Sequence, residues 1–211
     1  MTARIDVNRA ASIHVRCGAS GSGKSWGVKD AIKTAKRLLI FDPDDEYNEI
    51  AGIITVTKPT ELLQHIARFP RGGLKIRFLA NGAKNFNLWS KAAFEWGNCT
   101  VVAEELSGVT TTTKAPEGWH TLVTRGRKKG ITIYAVTQRP AECDKTVLGN
   151  ATTLRTGRLS RDKDKKYLAD EMSIDKAKIA VLQNLDYIEI DLNTGAVHQS
   201  KMGTKMRRKI R

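Results

Sequence analysis

The chain has little of what builds metal clusters, disulfide frameworks or membrane spans. Its 211 residues include only 3 cysteines and 4 histidines. Cys17, Cys99 and Cys143 are odd in number and far apart, which excludes a paired disulfide framework and zinc-ligand spacing. His14, His65, His120 and His198 are equally scattered, so neither a metal site nor a Cys/His nucleophile is indicated. No apolar run approaches the ~20 residues that a bilayer span requires, and no signal-peptide pattern opens the sequence; a soluble, cytosolic chain that does not itself span a membrane is expected. Aromatic residues are 6% of the total. Dispersed as they are, they do not form a platform for stacking single-stranded bases.

Acidic residues are also in deficit, with 36 Lys/Arg against 22 Asp/Glu and a formal net charge of +14. The excess is uneven, +4 over residues 1–105 and +10 over residues 106–211. A polyanionic partner follows most simply, and nucleic acid is the commonest polyanion. The length suits one large domain with its own core, taken as residues 1–200. Residues 201–211 hold six Lys/Arg and no acid. They read as a basic tail suited to phosphates or to an anionic membrane or capsid surface.

What the chain does have is a complete G-x-x-x-x-G-K-[ST] loop, Gly18-Ala19-Ser20-Gly21-Ser22-Gly23-Lys24-Ser25, directly after the strand-like run Ser12–Cys17. Glycines let successive backbone N–H groups converge on phosphate oxygens, and a helix starting near Lys24 points its positive end at the same anion. Lys24 is placed to reach the β- and γ-phosphates of ATP, and the Ser25 hydroxyl to complete the coordination of Mg2+. Trp26 and Asp42 are further candidate nucleotide contacts.

The rest alternates. Helical patterns are read at Lys24–Arg37, Pro59–Phe69, Asn87–Trp96 and Glu117–Lys128, and apolar strand runs at Arg37–Asp42, Ile53–Thr57, Leu74–Leu79, Thr100–Glu105 and Ile131–Thr137. Beyond Pro140, a strand at Thr152–Leu159, helices at Arg161–Met172 and Asp175–Leu182 and a closing strand at Asp186–Leu192 complete the pattern. This βα alternation predicts an α/β fold with a mostly parallel central sheet, helices on both faces and ligands at the C-terminal strand ends. Glu104 and Glu105 end one of those strands, where one acid can hold Mg2+ and the other activate water, with Glu105 the candidate base. Gln138 ends the next apolar strand, where its amide can sense the γ-phosphate.

Three further segments resemble the FtsK/HerA branch of P-loop ATPases. Phe41-Asp42-Pro43-Asp44-Asp45-Glu46-Tyr47 is similar to that branch's D-P-x-x-E-[FY] segment. Gly126-Arg127-Lys128-Lys129-Gly130-Ile131 is similar to its G-R-x-x-G-I stretch, and Ala135-Val136-Thr137-Gln138-Arg139-Pro140 to its A-T-Q-R-P strand end. With the phosphate loop the matches span Gly18 to Pro140. The short chain most resembles the minimal genome-packaging ATPases of tailless icosahedral phages with an internal membrane. That resemblance implies a homo-oligomeric ring, a hexamer, that threads double-stranded DNA into a preformed capsid. It also implies capsid-vertex or internal-membrane protein partners, and a location in the host cytoplasm and at the virion packaging vertex. Arg127, with Arg125 second, is the expected arginine donated to a neighbour's γ-phosphate. Lys114, Lys128 and Lys129 are candidate DNA contacts.

Two departures stand out. Glu104 lies where the family usually has Asp, and Ser107–Pro116 is a polar loop with four consecutive threonines, read as either a pore-facing contact to DNA phosphates or a disordered surface loop. Other readings are an ATPase of filamentous-phage extrusion or conjugative transfer, a small-molecule or nucleotide kinase, and a non-catalytic nucleic-acid-binding or capsid protein.

Overall fold

A computed structural model describes residues 12–203. Its strands are β1 (Ile13–Cys17), β2 (Arg37–Phe41), β3 (Ile53–Val56), β4 (Leu74–Phe78), β5 (Thr100–Ala103), β6 (Thr132–Thr137), β7 (Thr153–Gly157), β8 (Asp186–Asp191) and β9 (Val197–Lys201). They form a single nine-stranded sheet in the order β3-β4-β2-β5-β6-β1-β7-β8-β9. The first seven strands pair in parallel, and β8 and β9 close one edge antiparallel. The expected α/β architecture with a mostly parallel sheet is therefore what the chain forms.

The helices are α1 (Lys24–Ile32), α2 (Pro59–Arg68), α3 (Ala83–Trp96), α4 (Glu117–Arg125), α5 (Lys145–Gly149), α6 (Asp162–Met172) and α7 (Lys176–Ala180). They are divided unequally between the two faces. In β2, Leu39 and Phe41 join the larger core while Leu38 and Ile40 join the smaller one, which explains the unbroken apolar run of a strand buried on both sides. The larger core holds Phe86, Trp89 and Ala93 of α3, Trp119 and Leu122 of α4 and Leu168 and Met172 of α6. In it Phe86 stacks on Trp89 with ring centroids 5.5 Å apart. The smaller core is made by Val28 and Ile32 of α1 and by Tyr47 from the turn after β2, against Leu38, Ile40, Val102 and Val136.

Where α1 does not reach, that second face is polar. Arg16 donates to Glu189 at 2.9 Å and Arg155 donates to the same carboxylate at 2.9 Å. His14 bonds Thr153 Oγ1 at 2.8 Å and stacks on Tyr134. Burial and the neighbouring Arg16 push His14 down to about 4, so it is neutral at physiological pH. One carboxylate thus serves two guanidiniums, one of them only 8% exposed. Removing one partner of such a buried group costs about 3 kcal/mol or more, because the remaining charge is stranded. Glu189→Ala is expected to lower the free energy of unfolding by that amount, measured by urea denaturation, and Glu189→Gln by less.

Several boundaries differ from expectation. α1 stops at Ile32 rather than Arg37, since Arg37 already pairs with Leu74 in β2 and β4. α3 begins at Ala83, four residues before the expected Asn87. α4 ends at Arg125, and Gly126–Lys129 tightens into a 3-10 turn closed by Gly130 at φ +66°. The short helix α5 and the strand β9 have no counterpart among the expected elements. Lys201, the first residue of the expected basic tail, is the last residue of β9; residues 204–211 of that tail lie outside the described ones.

Candidate nucleotide site

The phosphate loop leaves β1 and enters α1 through two positions that favour glycine. At Gly18 a Cβ would stand 2.4 Å from Ser22 Oγ. At Gly23 φ is +91° and a Cβ would meet Leu185 at 3.0 Å. The loop is anchored at both walls: Gly18 N–H donates to Thr137 O at 3.3 Å and Ala19 N–H to Arg158 O at 2.7 Å. The Arg158 guanidinium also donates to Ser20 O at 3.0 Å. The N–H groups of Gly21, Gly23, Lys24 and Ser25 find no acceptor among the described residues. Four unsatisfied donors around a helix N-terminus make a ready cradle for an anion such as a phosphate.

Four adjacent strands, β2-β5-β6-β1, deliver their C-terminal ends to this cradle in that order. β5 brings Glu104, 6% exposed, whose carboxylate accepts the Tyr47 hydroxyl. Burial pushes this carboxyl up to about 7, against the opposing pull of the Tyr47 hydrogen bond and of Lys24. Glu105 follows with φ +45° and ψ +58°, a left-handed conformation that is rare for a residue with a side chain. This sharp turn lets two consecutive strand residues serve one cleft, because the backbone changes direction between them. Ser107 Oγ donates to the Glu105 carboxylate. β6 brings Gln138, half-buried, one residue beyond the Thr137 carbonyl that binds Gly18.

Lys24 Nζ donates to Ala19 O at 3.1 Å. Burial lowers its pKa while the charges of Glu104, Glu105 and Glu46 raise it, so three carboxylates surround the loop lysine. Glu46 is the one that accepts the Ser25 hydroxyl. No group of three or more His, Cys, Asp or Glu able to cage a metal occurs among the described residues. A Mg2+ ion that takes one or two protein oxygens and completes its shell with phosphates and water needs no such cage. Ser25 and Glu104 are suitably placed donors, with Glu46 beside them.

Asp42, at the end of β2, stands behind this group. It is fully buried and accepts Glu46 N–H at 2.9 Å, Tyr47 N–H at 3.1 Å and Arg77 Nη1 at 3.1 Å. Two of these bonds hold the turn that presents Glu46 and Tyr47, so Asp42 is placed to position those residues. Trp26 is 54% exposed on the first turn of α1. Tyr47, Glu46, Ser107 and Arg158 join the site without having been expected there. The first two lie in the D-P-x-x-E-[FY]-like segment, which is a usable signal; Ser107 and Arg158 carry no local one.

The expected basic residues divide between two edges of the sheet. Lys114 is exposed on the loop that follows Glu105. Arg125, Arg127, Lys128 and Lys129 lie at the opposite, N-terminal edge, where Lys129 O accepts Asn98 N–H at 2.7 Å. Arg125, Arg127 and Lys128 are exposed, whereas Lys129 is half-buried over Phe94 and 3.8 Å from Glu95.

No known family profile matches the sequence. Protein P9 of the Pseudoalteromonas phage PM2 is 28% identical over 178 residues, 82% of this chain and 80% of that protein. The genome packaging NTPase B204 of Sulfolobus turreted icosahedral virus 2, solved with sulfate, superposes with a TM-score of 0.73 at 15% identity, covering 93% of this chain and 98% of that one. The fold is that of a P-loop NTPase. The same B204 in complex with ATP-gammaS matches with a TM-score of 0.71 at 16% identity over 90% of this chain and 97% of that one. The bacterial conjugative coupling protein TrwB matches at 0.62 and 9% identity, over 96% of this chain and 87% of that one. The likeness read from the motifs, to FtsK/HerA-type ATPases and above all to minimal viral packaging ATPases, holds at the level of fold. No helix among the described residues is long and apolar enough to cross a membrane.

Proposed function

We propose that the chain is the ATP-hydrolysing motor of a viral genome-packaging system, acting as a ring that moves double-stranded DNA into a preformed capsid. The observation that carries this reading is the amide cradle of Gly21–Ser25 with Lys24 facing Glu104 and Glu105 from the neighbouring strand ends. In this reading the cradle and Lys24 bind the triphosphate, and Ser25 and Glu104 hold Mg2+. The metal supplies neutralisation of charge on the β- and γ-oxygens. Glu105 takes the proton of the attacking water and Gln138 orients that water or senses the γ-phosphate.

The position of Arg127 keeps it away from its own subunit's nucleotide. β6 alone, Thr132–Thr137, spans about 17 Å at ~3.3 Å per residue, and Arg127 and the phosphate loop lie beyond its opposite ends. Arg127 therefore serves a neighbour's nucleotide or none. Mixing Lys24→Ala with Arg127→Ala subunits tests this: partial activity in mixtures of two dead proteins supports donation between subunits. No recovery at any ratio removes it.

The reading as a whole predicts that ATP is converted to ADP and phosphate faster with duplex DNA present, and that DNA affinity falls steeply with salt, as counterion release demands. Equal hydrolysis with and without duplex, across salts and in assembled rings, overturns it. Transfer of the phosphate to a small acceptor would show a kinase instead. The likeness to a conjugative coupling protein favours, second, an ATPase of DNA transfer between cells. Purified empty capsids separate the two, since only a packaging motor fills them.

A further inference from the structure

A cleft of about 350 Å³ opens between the loop that follows Glu105, the segment that follows Gln138, and α6. Thr112, Lys145, Lys163 and Lys166 line it, together with Tyr167 and the single carboxylate Asp170. The three lysines are exposed, and none makes an ion pair or hydrogen bond among the described residues. Lys163 and Lys166 stand three residues apart on α6, which places them on one helix face. Lys145 opens α5 across the cleft.

The walls are tied to one another. Thr110, buried, accepts the Asp144 N–H at 3.1 Å and donates to Leu106 O at 2.8 Å. Asp164 is only 3% exposed and accepts Ala141 N–H at 3.0 Å. Arg161 pairs with Glu142 at 2.6 Å. Two of the three walls begin at residues assigned above to water activation and γ-phosphate sensing. Thr112 is seven residues beyond Glu105, and Lys145 seven beyond Gln138.

We infer that this cleft is the surface that grips the duplex, through the phosphate backbone, in each subunit. The inference rests on the reading of the chain as a duplex-moving ATPase and locates the grip, at residues other than Lys114, Lys128 and Lys129. Lysines are compact point charges without the planar fork that reads base edges, so contacts made by them position a backbone without selecting sequence. One aromatic ring in the cleft is too few to stack successive bases, which favours duplex over single strand. Thr112 adds a hydroxyl donor beside the cations. The shared hydrogen bonds place the grip on the same short segments that Glu105 and Gln138 begin.

The test compares two triple variants of equal charge change in the full-length protein. Lys145→Gln/Lys163→Gln/Lys166→Gln empties the cleft of cations. Lys36→Gln/Arg71→Gln/Lys84→Gln removes three exposed cations elsewhere that are unpaired among the described residues. The cleft variant is expected to keep its DNA-free ATPase and melting temperature and to lose duplex stimulation, with the slope of log K against log salt shallower by about 3 for each subunit engaged on the duplex, one unit per phosphate contact. The control variant and a triple Lys→Arg cleft variant are expected to keep stimulation. Equal loss in both Gln variants would show a diffuse charge effect and overturn the assignment. So would an unchanged slope in the cleft variant, or tighter cleft-dependent binding of single strands or anionic vesicles than of duplex. If the unaltered protein neither binds duplex nor responds to it, the parent reading fails and the cleft assignment with it.

Discussion

Glu105→Gln is expected to bind ATP as the unaltered chain does and to turn it over about 10²–10⁴-fold more slowly, the span that a positioned general base supplies. The substitution keeps the shape of the side chain and an oxygen that can accept from Ser107, so the left-handed turn at φ +45° is preserved. Holding a non-glycine residue there costs on the order of 1 kcal/mol. The turn is what aims the residue into the cleft beside Glu104. What the amide lacks is the capacity to take up a proton. Binding of a slowly hydrolysed ATP analogue and steady-state ADP release, measured on the same preparation, separate the two effects. Turnover within about threefold of the unaltered protein would remove Glu105 as base, because a loss that small is under 1 kcal/mol of barrier.

Glu105 also shows where the sequence is legible and where it is not. The phosphate loop, the apolar strands and the polar residues at their ends are local patterns, so the chain's own sequence suffices to place Lys24, Ser25, Glu104 and Gln138 on a sheet edge. The strand order is not local. That β6 lies between β1 and β5, so that Gln138 stands between the phosphate loop and the acids, is set by pairing of Ile13 with Ile133 and of Thr100 with Thr132, far apart in the chain. Arg158 is another long-range case: it reaches the loop because β7 pairs with β1, and nothing around it in sequence marks it. β9 escapes sequence reading because Val197–Lys201 is an exposed edge strand with one partner and so lacks the apolar alternation that reveals strands with a buried face. By its strand-end position alone Asp42 suggests a nucleotide contact. Its burial and its hydrogen bonds with the following turn and Arg77 are tertiary facts, and they place it in support of Glu46 and Tyr47.

Glu104→Gln should make the metal-free, nucleotide-free protein more stable at pH 8 while removing the carboxylate proposed to hold the metal. In the folded chain burial raises this carboxyl from 4.5 to about 7. A raised carboxyl pKa favours folding fully below the unfolded value, and that contribution is lost as pH rises through the folded value. Between about pH 4.5 and pH 7, stability therefore declines, and above pH 7 the native state carries a buried carboxylate at a cost of about 3 kcal/mol. Glutamine has no such ionisation and can still accept the Tyr47 hydroxyl. The two proteins should melt nearly together at pH 4.5, and the variant should gain up to about 3 kcal/mol as pH reaches 8, at about 2–4 °C per kcal/mol for a chain of this size. Tyr47→Phe acts in the opposite sense on the unaltered Glu104, since it deletes the hydrogen bond that favours the charged form. A melting difference between Glu104→Gln and the unaltered chain that does not change from pH 5 to pH 8 would mean that the carboxyl ionises as freely as in water.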